Sequence, residues 1–172
     1  MTTVVADTSA LVSLGGARTE TILGILVEEY DLCVPRKVVE ELEETASYDD
    51  EQARAAEKAL GYLDEGVAEN VELDPSFPLD DGENAAVTLA NEKKADLFLC
   101  DEFNRLGLIH ASLSDVRLVT TPKFLEILVY RESLSRSDSV ASLDEISELR
   151  SWDNNSYVRR ARETLEKPGS EG

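Results

Sequence analysis

Short apolar runs alternate with amphipathic segments along the first 130 residues of the chain. The predicted strands are the short runs at 3–6, 30–34, 67–73, 95–100 and 116–120. The predicted helices have apolar residues at helical spacing and lie at 10–14, 19–29, 35–42, 49–65, 80–90, 103–108 and 122–130. This alternation predicts an α/β fold with three layers, in which helices cover both faces of a central, mainly parallel, twisted sheet.

Residues 131–172 differ from the rest in composition. They are rich in Ser, Asp and Arg, and helical spacing recurs only around 143–149 and 156–165. Trp152 and Tyr157 are expected to anchor this part on the domain rather than to stack on bases. The last six residues have no periodic pattern, so a frayed end is expected. We therefore predict a domain over 1–130 and a helical C-terminal extension over 131–172.

The composition limits the classes of protein to which the chain can belong. Its 172 residues make one ordinary domain, and 42% of them are hydrophobic, enough for a self-folding core. No apolar run approaches the roughly 20 residues of a membrane helix, and the first residues lack the basic start of a signal peptide. Cys33 and Cys100 lie in apolar runs, as buried free thiols of a reducing compartment do. We expect a cytoplasmic protein with no membrane partner.

The charge of the chain is strongly one-sided. Asp and Glu number 36 against 17 Lys and Arg, which gives a formal net charge of −19. Such a charge repels the phosphates of nucleic acid at low salt. The acids are scattered along every segment, however, a pattern that suits a protein kept soluble in very high salt. Because the Debye length falls to about 3 Å at 1 M salt, a halophilic protein with this charge can still bind nucleic acid.

Two of the predicted strands end in an aspartate. Asp7 follows the first strand, and Asp101 follows the strand at 95–100. In an open parallel sheet, ligands bind beyond the carboxyl ends of the strands, near the point where strand order reverses. Glu41 and Glu83 lie near the starts of predicted helices and can face the same edge. Four converging carboxylates repel one another unless a hard cation neutralises them, and Mg²⁺ or Mn²⁺ prefers such oxygen ligands.

Each of these acids also has a simpler explanation. Asp7 is placed to cap the helix that follows it, and Asp101 to form a turn at the end of a strand. Glu41 and Glu83, considered singly, have the sequence surroundings of solvated helix residues. Only their order along the chain and their common placement favour one shared site.

Four motifs of the chain resemble those of the PIN-domain nucleases and occur in the family's order. The first is VVADTSALVSL at 4–14, a strand that ends in Asp7. The second is PRKVVEEL at 35–42, in which Glu41 precedes the leucine and Glu40 is the alternative. The third is LDDGENAAVTLA at 79–90, with Glu83, and the fourth is LFLCDEFNR at 97–105, with Asp101. The resemblance covers residues 3–130.

The resemblance implies a nuclease that hydrolyses phosphodiester bonds of single-stranded RNA with a bound Mg²⁺ or Mn²⁺. The catalytic residues and metal ligands that it implies are Asp7, Glu41, Glu83 and Asp101, with Glu102 as a further ligand. The substrate-binding candidates are Thr8, Ser9, Asn104 and Arg105. Many family members are toxins of toxin–antitoxin pairs, related stand-alone proteins occur in archaea, and homodimers are common. An antitoxin and a second copy of the chain are therefore expected partners.

Two features of the chain depart from the resemblance and favour an alternative function. Few basic residues accompany the motifs, and Arg36, Lys37 and Arg105 are the nearest candidates to contact RNA. Residues 131–172 also extend beyond the family core. A catalytically weak PIN-like domain that acts as a binding or scaffold module is therefore the alternative.

A third class of function is a receiver-like phosphoacceptor domain. In such a domain Asp101 or Asp7 would be the modified residue, and Lys123, which follows a predicted strand, would be its lysine partner. Receiver-like domains need paired acids directly after the first strand. Because the first strand here ends in a single acid, this class is disfavoured.

Overall fold

Five parallel strands form one sheet in the computed structural model, which describes residues 1–18 and 21–167. The strands are β1 (Thr3–Ala6), β2 (Asp31–Pro35), β3 (Ala68–Glu69), β4 (Leu97–Leu99) and β5 (Arg117–Val119). Their order across the sheet is β3-β2-β1-β4-β5. Every neighbouring pair is parallel, which confirms the predicted parallel sheet.

The strand order reverses at β1. From β1 the chain builds outward to β2 and β3 on one side, and later to β4 and β5 on the other. Val5 of β1 accordingly pairs with Cys33 on one side and with Phe98 on the other. The carboxyl ends of β1 and β4 therefore lie side by side, at the crevice where open α/β sheets bind their ligands.

Helices cover both faces of the sheet, which confirms the three-layer α/β/α fold. In the described ranges they are α1 (Thr8–Gly15), α2 (Thr21–Glu29), α3 (Arg36–Ala46), α4 (Glu51–Leu60), α5 (Asp81–Lys93), α6 (Leu106–Ser112), α7 (Thr121–Tyr130), α8 (Arg136–Arg150) and α9 (Ser156–Glu166). A short 3-10 turn spans Glu65–Val67. Polar side chains cap the helices near the end of the sheet: Asp7 caps α1, Asp80 caps α5 and Thr120 caps α7.

The core lies between the sheet and its helices. Val4, Val5 and Phe98 have no exposed surface, as expected of strands that are covered on both faces. Gly15 marks an unusually close helix contact, because a Cβ at this position would collide with the backbone of Ala55. α4 is thereby fixed against α1, the helix that follows Asp7.

The start of α6 differs from the prediction. The helix begins at Leu106 rather than at residue 103. Two hydrogen-bonded turns occupy the intervening residues, with Phe103 donating to the Asp101 carbonyl and Arg105 donating to the Glu102 carbonyl. The loop after β4 is therefore longer than its apolar pattern indicated.

Other bounds also differ from the predictions. Only Ala68–Glu69 of the stretch 67–73 pair as a strand, and α4 ends at Leu60 instead of continuing to residue 65. Residues 19 and 20 of the predicted second helix lie outside the described residues, as do residues 168–172 at the predicted frayed end.

The C-terminal helices α8 and α9 pack against each other and against α7, and α8 also contacts α1. Trp152, which lies between them, is buried, and its ring meets that of Phe103 edge-on with the centroids 5.1 Å apart. Trp152 thus anchors this part of the chain on the loop after β4. The division at residue 130 stays a prediction. None of the described helices is long and apolar enough to cross a membrane.

Candidate functional site

A cleft of about 310 Å³ lies where β1 and the loop after β4 contribute their polar residues. Most of its charge is negative, because six carboxylates line it: Asp7, Glu41, Glu44, Asp80, Glu83 and Glu102. Thr8 and Ser9 also line the cleft. Three residues of the predicted site, Asp101, Asn104 and Arg105, are not among the lining residues. The cleft therefore brings together most, but not all, of the predicted site.

Asp7 is an almost fully buried acid of this cleft, with 4% of its surface exposed. Its Oδ1 accepts hydrogen bonds from the Ser9 hydroxyl at 2.6 Å and the Ala10 amide at 3.2 Å. Its Oδ2 accepts one from the Cys100 thiol at 3.3 Å. Burial raises the pKa of Asp7 to about 7, although these hydrogen bonds act to lower it. Near neutral pH the carboxyl therefore exists in both protonation states, and a cation can displace its proton.

The hydroxyls of Ser9 and Thr8 each hold an acid in place. Ser9 is buried, donates to Asp7 and accepts the Asp101 amide at 2.9 Å, so it links the ends of β1 and β4. Thr8 donates to Oε1 of Glu41 at 2.6 Å. Two of the four residues that the sequence suggested for substrate binding, Thr8 and Ser9, therefore orient carboxylates.

Glu41 enters the cleft from α3, whereas the neighbouring Glu40 is exposed and does not line it. The carboxylate of Glu41 lies directly over Gly82, where a Cβ would collide with both of its oxygens. Burial raises the pKa of Glu41, and the hydrogen bond from Thr8 opposes the rise. A glycine at position 82 thus gives the Glu41 carboxylate its place beside the start of α5.

Glu83 is buried and held from two sides. Its amide donates to Oδ1 of Asp80 at 2.9 Å, and the Asp80 amide donates back to Oε1 of Glu83 at 3.3 Å, which forms a capping box. Nε of Arg105 lies 3.0 Å from Oε1 and 2.8 Å from Oε2 of Glu83. Arg105 therefore reaches the cleft wall through Glu83 and neutralises it.

Asp101 is buried, but both oxygens of its carboxylate accept hydrogen bonds from the first residue of α7. Oδ1 accepts the Thr121 amide at 2.7 Å, and Oδ2 accepts the Thr121 hydroxyl at 2.5 Å. Burial raises the pKa of Asp101, while both bonds from Thr121 act to lower it. In this arrangement Asp101 joins the end of β4 to α7.

Glu102 is the acid that the loop after β4 contributes to the cleft. Burial raises its pKa, the nearby Glu83 adds to the rise, and Arg150 opposes it. Arg150 comes from the last turn of α8 and is the one cation among the described residues that line the cleft.

A family model described as a PIN domain matches residues 3–167. The chain belongs to the PIN-domain family. This confirms the resemblance found in the four motifs, and the match extends through α8 and α9. No curated protein and no solved structure gives a significant match. PIN domains are in general nucleases, which removes the receiver-like alternative; Lys123 instead pairs with Glu126 on its own helix at 3.6 Å.

The donor chemistry of the PIN cleft fits the divalent metal ions that this family typically uses. Its ligands would be carboxylate oxygens, and among the described residues Asp7 has a hydroxyl, an amide and a thiol as partners but no cation. In the part of the chain that the structure describes, however, no three His, Cys, Asp or Glu side chains are grouped to hold a metal. Glu41 is turned to Thr8 and Glu83 to Arg105. The residue types therefore fit Mg²⁺ or Mn²⁺, while two of the side chains have other partners.

Reasoning from sequence missed Glu44, which lines the cleft, and three residues that support or charge the site: Asp80, Thr121 and Arg150. Asp80 has a recognisable signal, since an acid three residues before Glu83 at a helix start is a capping box. Thr121 precedes a proline at a predicted helix start, but nothing local indicates that it binds Asp101. Arg150 follows no motif, because its place in the cleft depends on how α8 packs on the rest of the PIN domain.

Proposed function

We propose that the chain is a metal-dependent endoribonuclease that hydrolyses phosphodiester bonds of single-stranded RNA. The observation that carries the proposal is the buried Asp7 carboxylate, which has no cationic partner among the described residues and shares its cleft with Glu41, Glu83 and Glu102. A buried acid without a counter-charge is unfavourable unless it is protonated or a cation joins it. Membership of a family of nucleases supports the same function.

The proposed ligands of Mg²⁺ or Mn²⁺ are Asp7, Glu41, Glu83 and Glu102. Asp101 has both oxygens bonded to Thr121, and in this proposal it holds the end of β4 in place. A bound cation of this kind supplies an activated water and neutralises charge that develops at phosphorus. The chain's own part is to orient the carboxylates: Ser9 does so for Asp7, and Thr8 for Glu41.

Proton release is a further part of this chemistry. The Cys100 thiol and the Ser9 hydroxyl both favour the ionised form of Asp7, because each donates to a carboxylate oxygen. With a pKa of about 7, Asp7 releases its proton to solvent when a cation binds at neutral pH, without a large penalty. The cleft is therefore suited to bind a cation reversibly in this pH range.

The residues proposed to contact RNA are chosen by their position at or beside the cleft. Thr8 lines the cleft, and its hydroxyl can donate to a phosphate oxygen when it leaves Glu41. Ser9 is proposed to act through Asp7, to which it is bonded. Asn104 is exposed on the loop after β4, and Arg105 holds Glu83 from the same loop, so both are placed to contact a strand that passes this loop.

Cleavage of a labelled single-stranded RNA with Mn²⁺ tests the proposal, at low salt and in molar KCl. The matched pair of variants is Glu41→Gln, in the cleft, and Glu40→Gln, on the exposed side of the same helix. We expect metal-dependent cleavage by the wild type and by Glu40→Gln, and a large loss for Glu41→Gln. No metal-dependent cleavage by the wild type at either salt concentration, or equal activity of the two variants, contradicts the proposal.

The cellular role is proposed from the family alone. We propose a cytoplasmic toxin of a toxin–antitoxin pair, active as a homodimer in a halophile whose salt screens the charge of −19. Expression of the wild type should arrest growth, and co-expression of the protein encoded by a neighbouring small gene should restore it. Sedimentation in molar KCl measures the oligomeric state. Normal growth with an active enzyme argues against the toxin role, and a monomer argues against the homodimer.

One observation favours a catalytically weak binding module as a second candidate. Glu83 already has a cation, Arg105, as its partner, and no three metal-binding side chains converge among the described residues. Calorimetric titration with Mn²⁺ separates the two functions. RNA binding without measurable uptake of Mn²⁺ and without cleavage favours the binding module, whereas cleavage that saturates with Mn²⁺ excludes it.

A further inference from the structure

Arg150 brings a positive charge into a cleft that is otherwise acidic. It is the one cation among the described residues that line the cleft, against six carboxylates. Its guanidinium neither donates a hydrogen bond nor forms an ion pair with any residue in the ranges 1–18 and 21–167. An arginine that lies among carboxylates without bonding to one of them has its donors free for a ligand.

The position of Arg150 is fixed by the packing of the residues that follow it. α8 ends at Arg150, and its C-cap residue Ser151 adopts a left-handed conformation with φ of 55°. Trp152 then packs edge-on against Phe103, in the same loop that carries Glu102 into the cleft. Arg150 is close enough to Asp101 and Glu102 to favour their ionised forms. The last turn of α8 is therefore a built part of the cleft wall.

A nucleic-acid strand needs such a charge in this cleft. A phosphodiester carries a negative charge, and one divalent cation leaves the lining of six carboxylates negative overall. A guanidinium offers two parallel N–H donors that match the oxygens of a phosphate. We propose that Arg150 binds a backbone phosphate of the single-stranded RNA in the cleft; this inference rests on the ribonuclease function proposed above.

A different role for Arg150 makes a different prediction. An arginine that only balances the charge of Asp101 and Glu102 would stabilise the fold and leave RNA affinity unchanged when removed. An arginine that binds phosphate contributes to RNA affinity and to the number of ions released on binding. For single-stranded nucleic acid, each phosphate contact changes the slope of log affinity against log salt by about 0.7. The salt dependence of binding therefore separates the two roles.

The experiment measures the affinity for a fluorescein-labelled single-stranded oligoribonucleotide over a range of KCl, with Mg²⁺ present. The titration uses the Asp7→Asn background, in which we expect cleavage to be slowed by more than about a hundredfold. Arg150→Ala is compared with Arg160→Ala, which removes the same charge from an exposed position of α9 outside the cleft. Arg150→Lys keeps the charge but loses the paired donors. Thermal melting of each variant shows whether it folds.

We expect Arg150→Ala to bind RNA about 10- to 100-fold more weakly than the parent, the range for loss of a hydrogen bond to a charged group. Its salt slope should fall by about 0.7. The RNA affinity of Arg150→Lys should lie between those of the parent and of Arg150→Ala. The affinity and salt slope of Arg160→Ala should match those of the parent. In the wild-type background, the loss for Arg150→Ala should lie mainly in KM.

The proposal for Arg150 and the ribonuclease function fail in different ways. If the wild type cleaves RNA but Arg150→Ala keeps the affinity and salt slope of Arg160→Ala, the phosphate contact is overturned and the ribonuclease function stands. A lower melting temperature of Arg150→Ala with unchanged RNA affinity also overturns it, in favour of charge balance. A wild type without metal-dependent cleavage overturns the ribonuclease function itself.

Discussion

Asp7 follows β1 and Asp101 follows β4, and these two strands lie side by side in the sheet. Both aspartates are buried, each with 4% of its surface exposed, and burial raises both pKa values. Their partners differ. Asp7 lines the acidic cleft and has no partner in a distant helix of the described ranges, whereas both oxygens of Asp101 are bonded to Thr121 at the start of α7. A buried strand that ends in aspartate therefore has two different outcomes in one molecule.

The difference arises from the segment that the chain forms after each strand. After β1 the chain enters α1 at once, so Asp7 caps the helix beside it and keeps an oxygen facing the Cys100 thiol. After β4 the next helix begins only at Leu106, and the Asp101 carboxylate meets the free amide at the start of α7 instead. The cleft acid of this loop is the next residue, Glu102. Strand-end position alone therefore does not decide which acid lines the cleft.

The largest effect that tests this comparison is on catalysis. Asp7→Asn should lower kcat/KM for RNA cleavage by more than about a hundredfold, because even groups that only support a metal ligand are worth 10- to 100-fold. Asp101→Asn should lose less than about tenfold, since its carboxylate does not line the cleft. The measurement is cleavage with saturating Mn²⁺, with the melting temperature of each variant as the control for folding.

The opposite ranking would break the comparison. If Asp101→Asn is as inactive as Asp7→Asn while both variants melt like the wild type, Asp101 must leave Thr121 and join the metal site. A loss confined to Glu102→Gln, tested in parallel, would instead support Glu102 as the acid of this loop.

The second-largest effect is on the free energy of unfolding and concerns Asp101. Thr121→Val removes the hydroxyl that donates to Asp101 and leaves a buried carboxylate with one donor fewer. We expect a loss of about 2 kcal/mol in the free energy of unfolding, measured by urea denaturation of the metal-free protein. Cleavage per folded molecule should change little.

A matched threonine controls for the loss of a hydroxyl as such. Thr88 donates to the neutral Asn84 side chain in a half-buried position of α5, so Thr88→Val should lose only about 0.5–1 kcal/mol. Equal losses for the two variants would show that the Asp101–Thr121 contact has no special weight in joining β4 to α7.

The sheet and most helices were predictable from the sequence, because the features that define them involve residues close together along the chain. The strand cores at 3–6 and 97–99 are short uninterrupted apolar runs, and the caps at Asp7 and Asp80 are sequence-adjacent to the helices that they start. The same holds for the placing of Glu41 and Glu83 in one cleft, because the parallel order brings their helix starts to one edge. Such patterns record contacts between residues that are close along the chain, together with the regular order of strands and helices.

The remaining features depend on contacts between distant residues. Thr121 lies 20 residues from Asp101, and no periodicity indicates that the two meet. The pairing of Glu83 with Arg105 spans 22 residues and depends on the turns that delay α6. Arg150 lines the cleft from a helix that packs on α1 and is followed by Trp152, which packs on Phe103. Which acid is free to bind a metal depends on the side chains that each acid meets in the folded structure. A single sequence does not record these partners.

A third effect is the pH dependence of stability, which the raised pKa of Asp7 determines. Its pKa is 3.8 in an ordinary carboxyl and about 7 in the folded metal-free protein, so the folded state holds the proton more tightly. This stabilisation is fully present below about pH 4 and is lost as the pH rises through 7. Between pH 6 and pH 7 the metal-free wild type should lose about 1 kcal/mol more stability than Asp7→Asn.

Asp7→Asn is the proper control, because Asp101, Glu41 and Glu102 titrate in both proteins and their contributions largely cancel. Denaturation at both pH values, with a chelator present, measures the difference. Added Mn²⁺ should stabilise the wild type more at pH 7 than at pH 6, since the cation needs the ionised carboxylate. Parallel pH profiles of the two proteins would mean that Asp7 is already ionised at pH 6.

The smallest effect concerns Cys100, which directly precedes Asp101 but serves Asp7. Its thiol lies 3.3 Å from Oδ2 of Asp7 and, as a donor, favours the ionised carboxylate. Cys100→Ala should therefore raise the pKa of Asp7 slightly and shift the pH profile of cleavage to higher pH. Because a thiol is a weak donor, the loss of kcat/KM at pH 7 should stay within about threefold.

Cys33→Ala separates this effect from the loss of a buried sulfur atom, since Cys33 is also buried but lies in β2, and the thiol bonded to Asp7 is that of Cys100. Both variants should lose some stability through packing, and only Cys100→Ala should shift the pH profile. Identical pH profiles of cleavage for the two variants would mean that Cys100 contributes only to packing in the core. A shift confined to Cys100→Ala would instead show that the two residues after β4 have separate roles, with Cys100 orienting Asp7 while Asp101 holds the start of α7.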